Sequence, residues 1–296
     1  KVTFNKNYFL PSANIKYSLN DKSNLRFAAS QTYTRPILME MLPITYVNAD
    51  HTSQSGNQRL VNSDNFNADI KYEVFPTSTE MFSAGIFGKK IDNAIERTFQ
   101  STASGAGTTF LNTGDAILYG AELDFIMSLG RLSESLSKVS LGFNTSVMNT
   151  KVDTNDTIIN SSGNPSEAIE THPKRQLQGA SKWLINSDLK YEFNFSESWT
   201  NTVSLVYSVF GKRIYSVGTR PLDHMYELPV HRVDLVWGSK ISEHFDFKLA
   251  AHNLLNPKVR FETGDDTNAS LAPVDNLINS EYKRGVGFSL GLNYTF

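Results

Sequence analysis

Six histidines are the first residues in this chain to test for chemistry. They stand at His51, His172, His224, His231, His244 and His252. None belongs to a His-Glu-x-x-His pair or to another metal-ligand spacing, so no metal site is expected. Gly105-Ala-Gly107 lacks both the lysine and the strand-to-helix setting of a phosphate loop. Cysteine is absent, which removes disulfides, thiolate ligands and cysteine nucleophiles. No catalytic residue and no cofactor follow from this inventory. The residue types that remain suit recognition and solvation. Tyr46, Arg59, Phe99, Arg220, Tyr226 and Arg260 fall in polar connecting segments, and Arg97 at the end of the segment before one of them. Aromatic rings stack on flat or sugar-like ligands and guanidiniums clamp anions, so these seven are candidate substrate contacts. The alternative for each is an ordinary solvated loop residue. A second set is charged and periodic: Asp69, Lys71, Glu73, Glu122, Asp124, Asp188, Lys190, Glu192, Arg232 and Asp234.

That periodicity belongs to strands. From Gly285 to Phe296, Val286, Phe288, Leu290, Leu292, Tyr294 and Phe296 alternate with Gly, Ser, Asn and Thr. Strict period-two alternation places one apolar face and one small polar face on an extended segment. The same pattern recurs upstream. Phe66, Ala68, Ile70 and Tyr72 oppose Asn67, Asp69, Lys71 and Glu73, while Ile185, Leu189, Tyr191 and Phe193 oppose Asn186, Asp188, Lys190 and Glu192. A Lys on the lipid face at mid-bilayer costs roughly 2–4 kcal/mol, so the apolar faces must point outward and the charged faces inward.

About eleven strands are expected, at 8–19, 24–36, 66–76, 81–97, 113–128, 138–152, 181–195, 199–213, 228–241, 245–256 and 283–296. Their connections alternate between short (such as Asn20–Ser23 and Ser196–Ser198) and long. The long ones are Ile37–Asn65, Thr98–Asn112, Asp153–Ala180, Ile214–Glu227 and Pro257–Tyr282. This rhythm is that of an antiparallel transmembrane β-barrel of the Gram-negative outer membrane, with short periplasmic turns and long extracellular loops. Tyr17, Tyr72, Phe75, Tyr191, Phe193, Trp199, Trp237, Phe245, Tyr294 and Phe296 cluster beside the short turns, as an interfacial girdle would. Eleven is half of the twenty-two strands of plugged transporters. The chain therefore reads as the C-terminal part of a larger barrel, with first and last strands that need partners outside it.

Composition agrees by exclusion. No run of eighteen apolar residues exists, which leaves no transmembrane helix. A formal net charge of -2 gives no reason to expect nucleic acid.

The order of segments resembles TonB-dependent outer-membrane receptors, particularly those of Bacteroidota. The resemblance is carried by Leu10-Pro-Ser-Ala-Asn-Ile-Lys-Tyr17, Tyr33-Thr-Arg-Pro36, Gly56-Asn-Gln-Arg-Leu60 and Tyr119-Gly-Ala-Glu-Leu123. It continues through Gln176-Leu-Gln-Gly179, Asn253-Leu-Leu-Asn256 and the terminal Gly291-Leu-Asn-Tyr-Thr-Phe296. Gln58 departs from the proline usual in the third piece, and the Arg-Pro segment is less like a starch-utilisation SusC protein than like a general receptor. The resemblance implies active import of a nutrient such as a glycan, peptide or metal chelate, and no enzymatic activity. It also implies four partners: membrane lipid, a plug domain with N-terminal barrel strands absent here, TonB acting through an N-terminus also absent, and a surface lipoprotein in some members. The ten periodic charges would then face the plug, and the terminal aromatic strand would close the barrel. A passive outer-membrane barrel and a soluble β-sandwich or adhesin are the competing readings.

Overall fold

The computed structural model describes residues 7–47, 53–102, 105–154, 157–159, 165–167, 174–219, 222–264 and 277–296. Among these, eleven strands build one wall: β1 (Ser12–Asn20), β2 (Ser23–Thr34), β3 (Ser63–Val74), β4 (Met81–Thr102), β5 (Gly105–Ser128), β6 (Val139–Thr154), β7 (Trp183–Asn194), β8 (Thr200–Phe210), β9 (Arg232–Lys240), β10 (Phe245–His252) and β11 (Gly287–Tyr294). Each pairs antiparallel with its neighbour in sequence, from Ile15↔Phe27 at one side to Leu249↔Leu290 at the other. Among the described residues β1 bonds only to β2 and β11 only to β10, so the barrel sheet is open here.

Register makes polarity a property of the whole face, because cross-strand partners point the same way. One lateral row reads Asn24, Glu73, Ser83, Asp124, Asn144, Asn186, Ser208 and Arg232 across β2 to β9. A neighbouring row on the other face reads Phe27, Ile70, Ile86, Ala121, Val147 and Trp183. The apolar face is uncovered: Phe288 is 76% exposed, Leu290 63% and Leu292 67%. A soluble sandwich would pack a second sheet about 10 Å away on that face, and no described residue supplies one. Facing hydrocarbon is the arrangement that makes this surface stable. The terminal strand's Val286, Phe288, Leu290, Leu292, Tyr294 and Phe296 all lie exposed.

The short-turn rim carries the aromatic girdle. Tyr191, Phe193, Phe195 and Trp199 form a continuous ring contact at centroid spacings of 5.4, 5.3 and 4.9 Å, and Tyr294 meets Phe296 at 5.1 Å. The indole N–H groups of Trp199 and Trp237 donate to Ser239 Oγ (2.8 Å) and Asn201 Oδ1 (3.1 Å). Each ring thus has one apolar side and one satisfied polar atom, which suits an interface. Two short turns are clasped together at this rim. Arg131, after β5, donates to Glu80, before β4, at 2.7 and 2.5 Å. The Arg131 guanidinium holds the Glu80 carboxyl down to about 2, aided by the Ser128 amide and the Thr77 hydroxyl.

The outer rim differs from a set of loops. β4 has 22 residues and β5 has 24, about twice the ~9–11 that a tilted strand needs to cross a bilayer. The sequence placed a loop at Thr98–Asn112, but the hairpin continues through Thr98↔Thr109 and Phe99↔Thr108. Thr98, Phe99, Thr108, Thr109 and Phe110 are strand formers, and the polar composition of the segment hid them. A β-bulge marks where the hairpin leaves the wall: pairing jumps from Ile91 to Ala94, Asn93 has φ 58°, and Gly114 opposite has φ 145°. A Cβ on Gly114 would lie 2.1 Å from the Asp153 carbonyl oxygen, so glycine is required there.

The other long connections also contain strands. Arg213–Gly218 pairs parallel with β4 at Val217↔Thr98, Met225–Glu227 pairs with Arg213–Gly218, Lys258–Thr263 with Met225–Glu227, and Leu277–Lys283 with Lys258–Thr263. Thr45–Val47 and Ser53–Ser55 form a hairpin that joins β5 at Ser53↔Gly107. The small apolar core lies at this end: Ala94, Ala116 and Val152, with Ile91 and Leu177 against them.

Candidate functional site

The inner face and the outer mouth carry the polar chemistry. All ten periodic charges share the inner face by register, and most are bonded along the wall. Lys71 Nζ lies 3.1 Å from Glu122 Oε1 and 3.0 Å from Asp124 Oδ2. Asp124 also accepts from Ser83 Oγ at 3.1 Å and from the Asn144 side-chain amide. Glu73 pairs with Arg26 at 2.6 Å, Lys190 with Glu192 at 2.5 Å, and Arg232 with Asp234 at 2.7 Å. Asp234 further accepts the Asn253 amide at 2.7 Å. Asp188 sits over Gly142, where a Cβ would come within 2.1 Å of its Oδ1. Asp69 is exposed on the same face beside Ala28 and Phe87. The face is polar and largely ion-paired or hydrogen-bonded within the wall.

A buried ion pair fixes the outer layer to the wall. Arg175 donates to Glu96 through Nη1 (2.9 Å) and Nη2 (2.7 Å), and their side chains are 2% and 1% exposed. The Glu96 carboxylate also accepts from the Gln178 amide at 2.8 Å and from the Thr113 hydroxyl. Gln178 in turn accepts the Arg97 amide at 2.6 Å and donates to the Tyr215 carbonyl at 2.5 Å. Residues 174–179 are thereby tied to β4 and to the strand Arg213–Gly218.

The seven proposed substrate contacts divide between places. Arg97, Phe99, Tyr226 and Arg260 fall on one continuous outer sheet. The Arg97 guanidinium lies 4.6 Å from the Tyr215 ring centre and 5.6 Å from that of Phe110. Phe99 is buried, Lys212 covers the Tyr226 ring at 4.2 Å, and Arg260 bonds Glu281 at 3.1 Å. Lys258 and Arg260 hold the Glu281 carboxyl below its ordinary range, Lys258 contributing most. Tyr46 and Arg59 are exposed in the connection between β2 and β3, and Arg220 lies outside the described residues.

The structure adds a cavity of about 380 Å³ at the outer ends of β7 and β8 that the sequence did not reveal. Arg213, Glu227, Arg232, Arg284, Asn186 and Ser208 contribute its polar lining. Arg213 donates through Nε (2.9 Å) and Nη2 (2.7 Å) to Glu227 Oε2 and stacks 4.0 Å over the Phe210 ring. Of its three arginines only Arg232 carried a signal in the sequence, through its place in a strand, and Asn186 carried one through the alternation of β7. Among the described residues no cluster of His, Asp and Glu could hold a metal ion.

Comparison with known proteins gives this architecture a family. The family model described as "TonB dependent receptor-like, beta-barrel" matches residues 1–294. A variant of the ferric enterobactin receptor PfeA from Pseudomonas aeruginosa is 16% identical, with a TM-score of 0.53 over 97% of this chain and 40% of that one. The ferric yersiniabactin uptake receptor FyuA from Yersinia pestis is 15% identical, with a TM-score of 0.56 over 97% and 37%. The copper transporter OprC is 14% identical, with a TM-score of 0.58 over 96% and 39%. The chain thus spans about 40% of the length of these solved structures. The search of curated proteins returns no match.

Proposed function

The chain belongs to the TonB-dependent receptor-like β-barrel family of the Gram-negative outer membrane, and from that premise we propose that it forms the C-terminal wall of an energy-coupled importer. In this reading a plug domain and further strands complete the barrel. TonB, acting on the plug, drives uptake of a nutrient such as a metal chelate, glycan or peptide. The observation that carries it is the inner face: a charged, hydrogen-bonded row from Asn24 to Arg232 behind an apolar outer surface. Asp69, Lys71, Glu73, Glu122, Asp124, Asp188, Lys190, Glu192, Arg232 and Asp234 are the proposed plug-facing set. The pairing of all but Asp69 and Asp188 within the wall lets a plug exchange partners without leaving bare charges. Tyr46, Arg59, Arg97, Phe99, Arg220, Tyr226 and Arg260 are the proposed outer contacts. Two of the similar structures are receptors for ferric chelates and one is a copper transporter, which supports a metal-linked cargo. The motif order supports a Bacteroidota-type receptor other than a SusC protein, with a surface lipoprotein as a partner in such systems.

Uptake by cells expressing the full-length protein tests this. Accumulation of cargo should stop when a protonophore collapses the inner-membrane gradient. Uptake that continues at the same rate would favour a passive barrel.

A further inference from the structure

We infer that the cavity at the outer ends of β7, β8 and β9 binds a small anionic solute through Arg213, Arg232 and Arg284. The inference rests on the import reading and deepens it by assigning the substrate a chemical class, a compact molecule bearing carboxylate or phosphate groups. Position comes first. Leu184 and Phe210 are cross-strand partners at the outer end of β7 and β8, and Asn186, Ser208 and Arg232 continue the inner polar row there. A solute entering from outside meets this cavity before the deeper lumen. A volume of about 380 Å³ falls in the range of ~300–1,000 Å³ usual for small-molecule sites.

Charge comes second. The lining contains three guanidiniums and one carboxylate, that of Glu227. Arg213 uses Nε and Nη2 on Glu227, and Arg232 uses Nε and Nη2 on Asp234. An arginine has five N–H donors, so each fork retains donors for a second acceptor. Arg284 has no hydrogen-bond or ion-pair partner among the described residues. With Asp234 counted, the three guanidiniums meet two carboxylates, so Arg284 leaves one net positive charge, and that charge together with the unused donors is complementary to a carboxylate or phosphate group. Leu184, Phe210 and Val230 add an apolar wall, so the solute's carbon frame has a surface to rest on.

The test is calorimetric titration of the detergent-purified full-length receptor, with no energy source, using citrate, inorganic phosphate and trimethyl citrate. At least one of the two anions should bind and the neutral ester should not. Arg284→Gln and Arg232→Gln should each weaken binding by about tenfold, added salt should weaken it further, and Lys258→Gln on the neighbouring outer strand should leave it unchanged. Absence of binding by both anions, or unchanged affinity in Arg284→Gln and Arg232→Gln, overturns the proposal. So does increased proteolysis of the plug in those variants with anion affinity intact, which would assign the arginines to plug carboxylates. Energy-dependent uptake of a neutral cargo without anion binding would sink this site alone. Anion binding without energy-dependent uptake would sink the import reading and leave the site standing.

Discussion

Glu96→Gln should free the outer sheet from the wall while leaving the wall folded. The wild-type carboxylate accepts two bonds from Arg175, one from the Gln178 amide and one from the Thr113 hydroxyl. Glutamine keeps the shape but removes the charge, so Arg175 is left buried and uncompensated. Removing one partner of a buried ion pair costs about 3–5 kcal/mol. At ~1.4 kcal/mol per tenfold, local opening should rise by roughly two to three and a half orders of magnitude. Hydrogen–deuterium exchange reads this directly on the full-length protein. The Gly179 amide, bonded to the Ile214 carbonyl at 2.9 Å, and the Leu177 amide, bonded to Thr150 Oγ1 at 2.9 Å, should lose protection by that factor. Amides of Leu189 and Leu205, paired in the β7–β8 ladder, should not change. The double variant Glu96→Leu with Arg175→Met should lose much less, because no charge remains buried. A change below tenfold at Gly179 and Leu177, or parallel loss at Leu189 and Leu205, would refute the assignment of this pair as the anchor.

Three further outcomes follow from the same geometry. The Glu80–Arg131 clasp should be pH-dependent. A carboxyl lowered from 4.5 to about 2 contributes stability that is present above pH 4.5 and lost as pH falls toward 2. Protection of the Ser128 and Gly130 amides, taken relative to their intrinsic exchange rates at each pH, should fall over that window and stay flat from pH 5 to 7, whereas a loss of protection near neutrality would contradict it. Leu205→Lys should destabilise the barrel in lipid by about 2–4 kcal/mol, while Ser204→Lys on the inner face should cost little; equal costs in a denaturant titration would reverse the assignment of faces. Gly114→Ala should distort the bulge, through its φ of 145° and the 2.1 Å approach to Asp153, at a cost of about 1–3 kcal/mol. Wild-type exchange at the Asn93 and Asp115 amides in that variant would count against a conformational requirement for glycine.

What was legible in the sequence is what period-two alternation encodes. Asp188, Lys190 and Glu192 beside Leu189, Tyr191 and Phe193 assign both a strand and its two faces, because the bilayer penalises the opposite orientation. The wall strands therefore match the expected spans to within a few residues at most ends. The outer layer was illegible for two physical reasons. Thr98–Asn112 is mostly polar and shows no regular alternation, and the alternation of Lys258, Val259, Arg260, Phe261 and Glu262 is too short to stand out from a polar connection. Their stability comes instead from pairing with distant segments, as in Val217↔Thr98. Glu96 and Arg175 are 79 residues apart, and no local spacing links them. The arginines of the cavity arrive from three separate segments, after β8, in β9 and before β11, so only the fold brings Arg213, Arg232 and Arg284 together. Arg97 and Phe99, picked from composition, do sit at the outer mouth. Arg97 is stacked there between Tyr215 and Phe110.

The central claim, a membrane wall with a polar inner face and a lipid-facing outer one, is tested most directly by site-by-site accessibility along β8. Single cysteines at Val203, Ser204, Leu205, Val206 and Tyr207, introduced into the full-length protein in native outer membranes, would each carry a spin label. The account predicts that labels at 203, 205 and 207 collide with oxygen dissolved in lipid, and that labels at 204 and 206 do not. Uniform access along the five positions, or the opposite alternation, would contradict it.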